Sequence, residues 1–193
     1  MSLRPPGRPG SAAFPPSGLV ALDYEIAGEQ ASALGRAGYD TALIGKAHFN
    51  TSHTFAPTGT PECRESSARY GADWSGPYMG LAHVELMLEG HNHFPPMHPP
   101  RGHHYERWYH AGGGGEERNR LYQARALPDS GAVRTWHSSL PVAWHNSTWI
   151  GDRTIEYLRA RRERPFCLWA SFPDPHHPFD APEPWCRLHD PDE

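Results

Sequence analysis

The sequence predicts an α/β fold around a mostly parallel sheet, and three observations carry that expectation. A helical run at residues 29–37 is followed by Gly38 and then by the apolar stretch 41–45, a helix, tight turn and buried strand in succession. A second helical pattern beginning near Asn146 leads through Pro165 into the continuously apolar run 166–172, the pattern of a central strand covered on both faces. The chain has 193 residues, enough for one such domain and short for two.

Each element follows from local chemistry. Residues 1–18 are rich in Pro, Gly and Ser without periodicity and are expected to be disordered, so the domain is placed at 21–193 and 1–20 outside it. The run 29–37 (EQASALGRA) is built of helix formers, and Gly38 suits the left-handed cap. The stretch 50–75 is polar and turn-rich, and 83–88 (HVELML) alternates as a strand does. Residues 89–140, broken by proline pairs and by four glycines at 112–115, are expected to be loop. Asn146 and Ser147 are candidate N-caps for a helix whose apolar stripe is Trp149, Ile150, Thr154, Tyr157 and Leu158. Pro165 ends it, and the segment 173–179 must be a loop at the carboxyl end of the last strand.

Composition narrows the function. A hydrophobic share of 37% with 21 prolines and 19 glycines predicts long loops around a modest core. A formal charge of −4 with scattered basic residues supplies no electrostatic footprint for nucleic acid. Three cysteines without metal spacing predict no disulfide framework and fit a reducing compartment. Cys167, inside a predicted strand, is expected to fill core. No apolar run approaches the roughly 18 residues of a membrane span, and prolines interrupt the first twenty residues, so a cytoplasmic location is expected.

Chemistry concentrates at the carboxyl ends of the strands, where open α/β sheets bind ligands. After Gly45 come Lys46 and His48, two apart and so on one side of extended chain. A lysine offers a point charge to a sulfate or phosphate oxygen, and a histidine moves protons near neutral pH. After the last strand, His176 and His177 sit between Pro175 and Pro178, whose fixed φ stiffens the loop. Neighbouring histidines are expected to point apart, one into the site and one away.

Two of these runs carry a likeness. Residues 38–48 (GYDTALIGKAH) resemble the second signature of the sulfatases, roughly G-Y-x-T-x-x-x-G-K-x-H, and 172–179 (FPDPHHPF) is similar to that family's P-H-x-P-F loop. Segments 76–78 with 83–85, and 149–155, look like bacterial arylsulfatases and choline sulfatases, so the likeness runs from about residue 28 onward. The resemblance implies an alkaline-phosphatase-like α/β sandwich that hydrolyses the sulfate ester of a small organic molecule. It implies catalytic roles for Lys46, which contacts sulfate and nucleophile, for His48, which bonds the nucleophile's geminal hydroxyl, and for His176, which assists the leaving group. Lys46 and His176, with Tyr78, are the expected substrate contacts, and His177 falls on a variable position.

The pattern is incomplete. No C/S-x-P-S/A-R run, the source of the formylglycine nucleophile, occurs in the sequence, and Cys63 with its neighbours does not match one. The calcium that the resemblance implies has no paired aspartates here, since Asp23 lacks a second beside it, so no metal ligand is assigned. The chain is therefore expected to be an internal piece of such an enzyme, inactive alone and with uncovered sheet edges. Two other readings stand beside this one. Phosphonate monoester and phosphodiester hydrolases share the fold and similar Lys/His motifs, and a non-catalytic protein of this type could hold an anion, or a metal through the His-rich loop of His91, His93, His98, His103 and His104. Trp74, Tyr78, Tyr105 and Trp108 either line a substrate entrance, where a quaternary ammonium would suit them, or pack loop against loop.

Overall fold

The computed structural model describes residues 20–50, 56–91, 93–127, 131–132, 134–160 and 164–189, with side chains from residue 28 onward. The expectation of a disordered 1–18 lies outside the described residues. The elements are α1 (Val20–Arg36), β1 (Asp40–Gly45), α2 (Arg64–Ser67), β2 (His83–Leu86), α3 (His104–His110), α4 (Gly115–Gln123), α5 (Asn146–Ala160) and β3 (Phe166–Ser171). The strands form one parallel sheet in the order β2-β1-β3, so the fold is α/β as expected.

The first helix begins nine residues before the expected start (Val20 against Glu29) and ends at Arg36, one residue before the expected end. Tyr39 donates to the Leu34 carbonyl at 3.1 Å and Gly38 to that of Gly35 at 3.0 Å, a Schellman pair closed by Gly38 at φ 90°. The chain then enters β1, whose residues 41–45 are all buried. Ala42 and Ile44 face a cluster built with Met87, Tyr105, Tyr109, Trp149 and Ile150, and Leu43 faces the opposite one with Ala31, Phe49, Leu81 and Leu86. That two-residue alternation puts apolar side chains on both faces, with α5 and α3 covering one and α1 the other.

Three expectations are corrected. Among the described residues the strand Phe166–Ser171 is an edge: it pairs on one side only, Phe166 and Trp169 are 43% and 48% exposed, and Cys167 is exposed rather than core. Its apolar run is what a central strand needs, but the central place belongs to β1. The stretch 89–140 is not all loop, because α3 and α4 lie within it. Glu106 at the third position of α3 accepts the His103 N–H at 2.7 Å and helps start a helix that the glycines mask in the sequence. In α5 the stripe is buried at Trp149, Ile150 and Tyr157, whereas Leu158 is 39% exposed.

The predicted caps of α5 act elsewhere. His145 Nδ1 accepts the Ser147 N–H at 3.2 Å, while the Asn146 amide donates to Gly90 at 2.6 Å and the Ser147 hydroxyl to Asp174 at 2.9 Å. These side chains tie the start of the helix to the turn after β2 and to the loop after β3.

Candidate functional site

All three strands end level. Gly45 stands opposite Leu86 on one side and Ser171 on the other, so the segments leaving the three strands emerge together at one edge of the sheet. The Lys46 N–H donates to the Ser171 carbonyl at 3.0 Å, extending the β1–β3 join by one residue. Gly45 sits at φ 115°, and a Cβ there would lie 2.1 Å from the Ser171 oxygen, so only glycine allows the approach. This is the physical need behind the glycine before the lysine.

Lys46 is half-buried, and burial lowers its ammonium pKa below the ordinary lysine value. His48 comes two residues later at φ 95° on the exposed side of the site, and its imidazole pKa is lowered first by partial desolvation, then by the charges of Lys46 and His176. Those last two causes bring together the residues predicted from the sequence: a lysine and a histidine from the segment after β1 share a neighbourhood with a histidine from the loop after β3. His176 Nδ1 lies 2.5 Å from the His177 carbonyl. A carbonyl only accepts, so Nδ1 carries the proton and Nε2 is left to take or give one.

His177 does not point away as expected. Its ring stacks on that of His176, 4.6 Å between centroids and 22° between planes, because the Nδ1 bond folds the first ring back over the following peptide. His91, in the turn after β2, meets His176 edge to face at 6.0 Å. The end of β2 therefore also delivers a residue to the site. Its position follows from the turn itself: Gly90 donates to Phe94 at 2.8 Å and Phe94 to His91 at 3.0 Å, while Asn146 holds Gly90 from above. In the sequence His91 is one of a His-rich group, and nothing local separates it from the rest.

The other histidines of that group are dispersed, which corrects the picture of one flexible ligand loop. His103 is buried, donates from Nε2 to Pro61 at 2.7 Å, and burial drives its pKa down to about 4. His104 Nδ1 accepts the Leu86 N–H at 3.1 Å, and burial brings it likewise to about 4. His93 packs on Trp136 and His98 on His110. Among the described residues no group of three or more His, Cys, Asp or Glu side chains could hold a metal ion. These residues do not fit the calcium implied by the resemblance, and no chemical step is assigned to it.

The aromatic residues take the packing alternative. Tyr105 is 1% exposed against Trp149, Trp108 lies on Trp144 at 4.9 Å, and Trp74 lies on Tyr70 at 4.8 Å. Tyr78, an expected substrate contact, donates its hydroxyl to Glu62 at 2.9 Å, which commits its proton to the floor of the site.

Beyond His176 the wall turns acidic. Asp174 and Asp180 share a small cavity with His91 and His176, and a wider groove of about 460 Å³ continues past them along Val142, Phe179 and Trp185. Burial raises the Asp180 pKa, while Ser138 donates its N–H at 2.7 Å and holds the carboxylate in place. An anion is favoured on the Lys46 side and an uncharged or cationic group on the other.

No helix among the described residues is long and apolar enough to cross a membrane. Comparison of the chain with family models, with curated proteins and with solved structures returns no match.

Proposed function

We propose that Lys46, His48 and His176 hold the sulfuryl group of a small organic sulfate ester, on part of an alkaline-phosphatase-like sandwich of the sulfatase type. One observation carries the reading: β1 and β3 end level, Gly45 opposite Ser171, so the segments bearing Lys46 and His48 and bearing His176 leave the sheet together, with Lys46 and His176 near enough for their charges to lower the His48 pKa. A sulfuryl group in transfer spreads negative charge over its oxygens, and a fixed ammonium beside imidazole donors lowers that charge's energy. His176 meets an oxygen of that group through Nε2, its Nδ1–H staying on the His177 carbonyl. The organic part then lies toward the groove of Phe179 and Trp185.

The attacking group is not assigned, since the sequence holds no formylglycine signature. The expected behaviour of this chain is anion binding without turnover. Calorimetric titration of sulfate into the wild type, Lys46→Ala and His176→Ala tests it. Each variant should bind at least about tenfold more weakly, the loss of one charge-assisted hydrogen bond. Equal binding by all three sinks the proposal. Phosphate and methylphosphonate, titrated in parallel, decide the ester class: a clear preference for either moves the reading to a phosphonate monoester or phosphodiester hydrolase.

A further inference from the structure

We propose that Glu62 is the positioning residue of this site, setting the backbone of residues 48–50 so that the His48 imidazole stands beside Lys46 and His176. Its functional meaning rests on the anion site proposed above, and its geometry rests on hydrogen bonds alone. Glu62 is 3% exposed. Its Oε2 accepts the His48 N–H at 2.7 Å and the Asn50 N–H at 3.3 Å, and its Oε1 accepts the Phe49 N–H at 3.0 Å and the Tyr78 hydroxyl at 2.9 Å.

Three consecutive N–H groups cannot converge on one anion in extended chain, where they alternate in direction. They converge when the chain curls, and His48 at φ 95° supplies the curl. A non-glycine residue in that region is strained, and the charged hydrogen bonds offset the strain. The carboxylate is itself fixed from below. The Cys63 N–H donates to Thr60 at 3.2 Å, the Ser66 and Ser67 N–H groups donate to Cys63, and His103 grips the Pro61 carbonyl. On the other side Phe49 is buried, with its ring against Tyr78 and Trp169. A residue 14 positions from His48, in a stretch read as polar turns, thus decides where that ring stands.

The test is Glu62→Gln, close in size but with one oxygen replaced by an NH2 that faces N–H donors. Histidine resonances of the labelled protein are followed by NMR against pH, and sulfate affinity is measured by calorimetry. Glu62→Gln should keep the circular dichroism of the wild type, lose at least about tenfold in sulfate affinity, and let His48 titrate nearer to the ordinary histidine value. Lys46→Met should then shift the His48 titration in the wild type and leave it unmoved in the Glu62→Gln background. An unmoved His48 titration in Glu62→Gln overturns the proposal, whatever happens to sulfate. Should the wild type itself fail to bind sulfate, the anion-site reading falls and the His48 titration alone decides the role of Glu62. If Glu62→Gln does not fold, Glu62→Asp, shorter by one methylene, is expected to fold and to move His48 in the same direction; wild-type behaviour there overturns the proposal.

Discussion

His91 and His176 meet edge to face, their ring planes at 89° and their centroids 6.0 Å apart, although one comes after β2 and the other after β3. The contact joins the two outer strands across the end of the central one. Replacing His91 with Ala removes the edge that steadies the His176 ring. The expected result is a three- to tenfold loss of sulfate affinity (about 1 kcal/mol of aromatic contact) with little change in thermal midpoint. Calorimetry and a melting curve of His91→Ala check this, and unchanged affinity would place His91 outside the site.

Gly45→Ala should be far more damaging. The new methyl would meet the Ser171 carbonyl at 2.1 Å and Ile150 at 3.0 Å, in a backbone conformation at φ 115° that alanine resists. A cost of about 4 kcal/mol or more is expected, because the clash is with backbone and the strands cannot part without losing the sheet. Denaturant titration measures it, and a stable Gly45→Ala protein would contradict the close β1–β3 join.

A buried ion pair ties β2 to α5. Glu85, 4% exposed, accepts from Arg153 at 2.5 and 2.9 Å and pairs with His83 at 3.0 Å. Burial alone would raise its pKa, but the bonds from His83 and Arg153 outweigh that and bring the carboxyl down to about 2. The folded pKa is thus below the unfolded one, so this stabilisation is present above about pH 4.5 and is lost as pH falls toward 2. Arg153→Ala should cost about 2 kcal/mol near neutrality, less than for a fully buried pair because Arg153 is 38% exposed. The difference between wild type and variant, measured by denaturation at stepped pH, should shrink below about pH 4.5. The difference is the quantity to read, since burial shifts Glu62 and Glu89 the opposite way.

The outer edge of β3 leaves Phe166 and Phe172 at 43% and 45% exposure beside a row of strand groups that, among the described residues, pair on one side only. Such an edge recruits other chains. Phe166→Lys with Phe172→Lys should raise the monomer fraction in light scattering without lowering the melting temperature by more than about 2 °C. A steep loss of stability would mean that these rings are covered.

The residues alone determined whatever depends on near neighbours. The Gly38 cap, the buried strand at 41–45 and the helix from Asn146 each depend on patterns within a few positions, and all three could be read directly. The placing of Lys46, His48 and His176 at strand ends was legible for the same reason. Tertiary structure alone decided the rest. An apolar run such as Phe166–Ser171 looks alike at the centre of a sheet or at its rim, because only the pairing partner distinguishes them. Glu62 and His91 reach the site by folding across long stretches of chain, and periodicity carries no record of such closures.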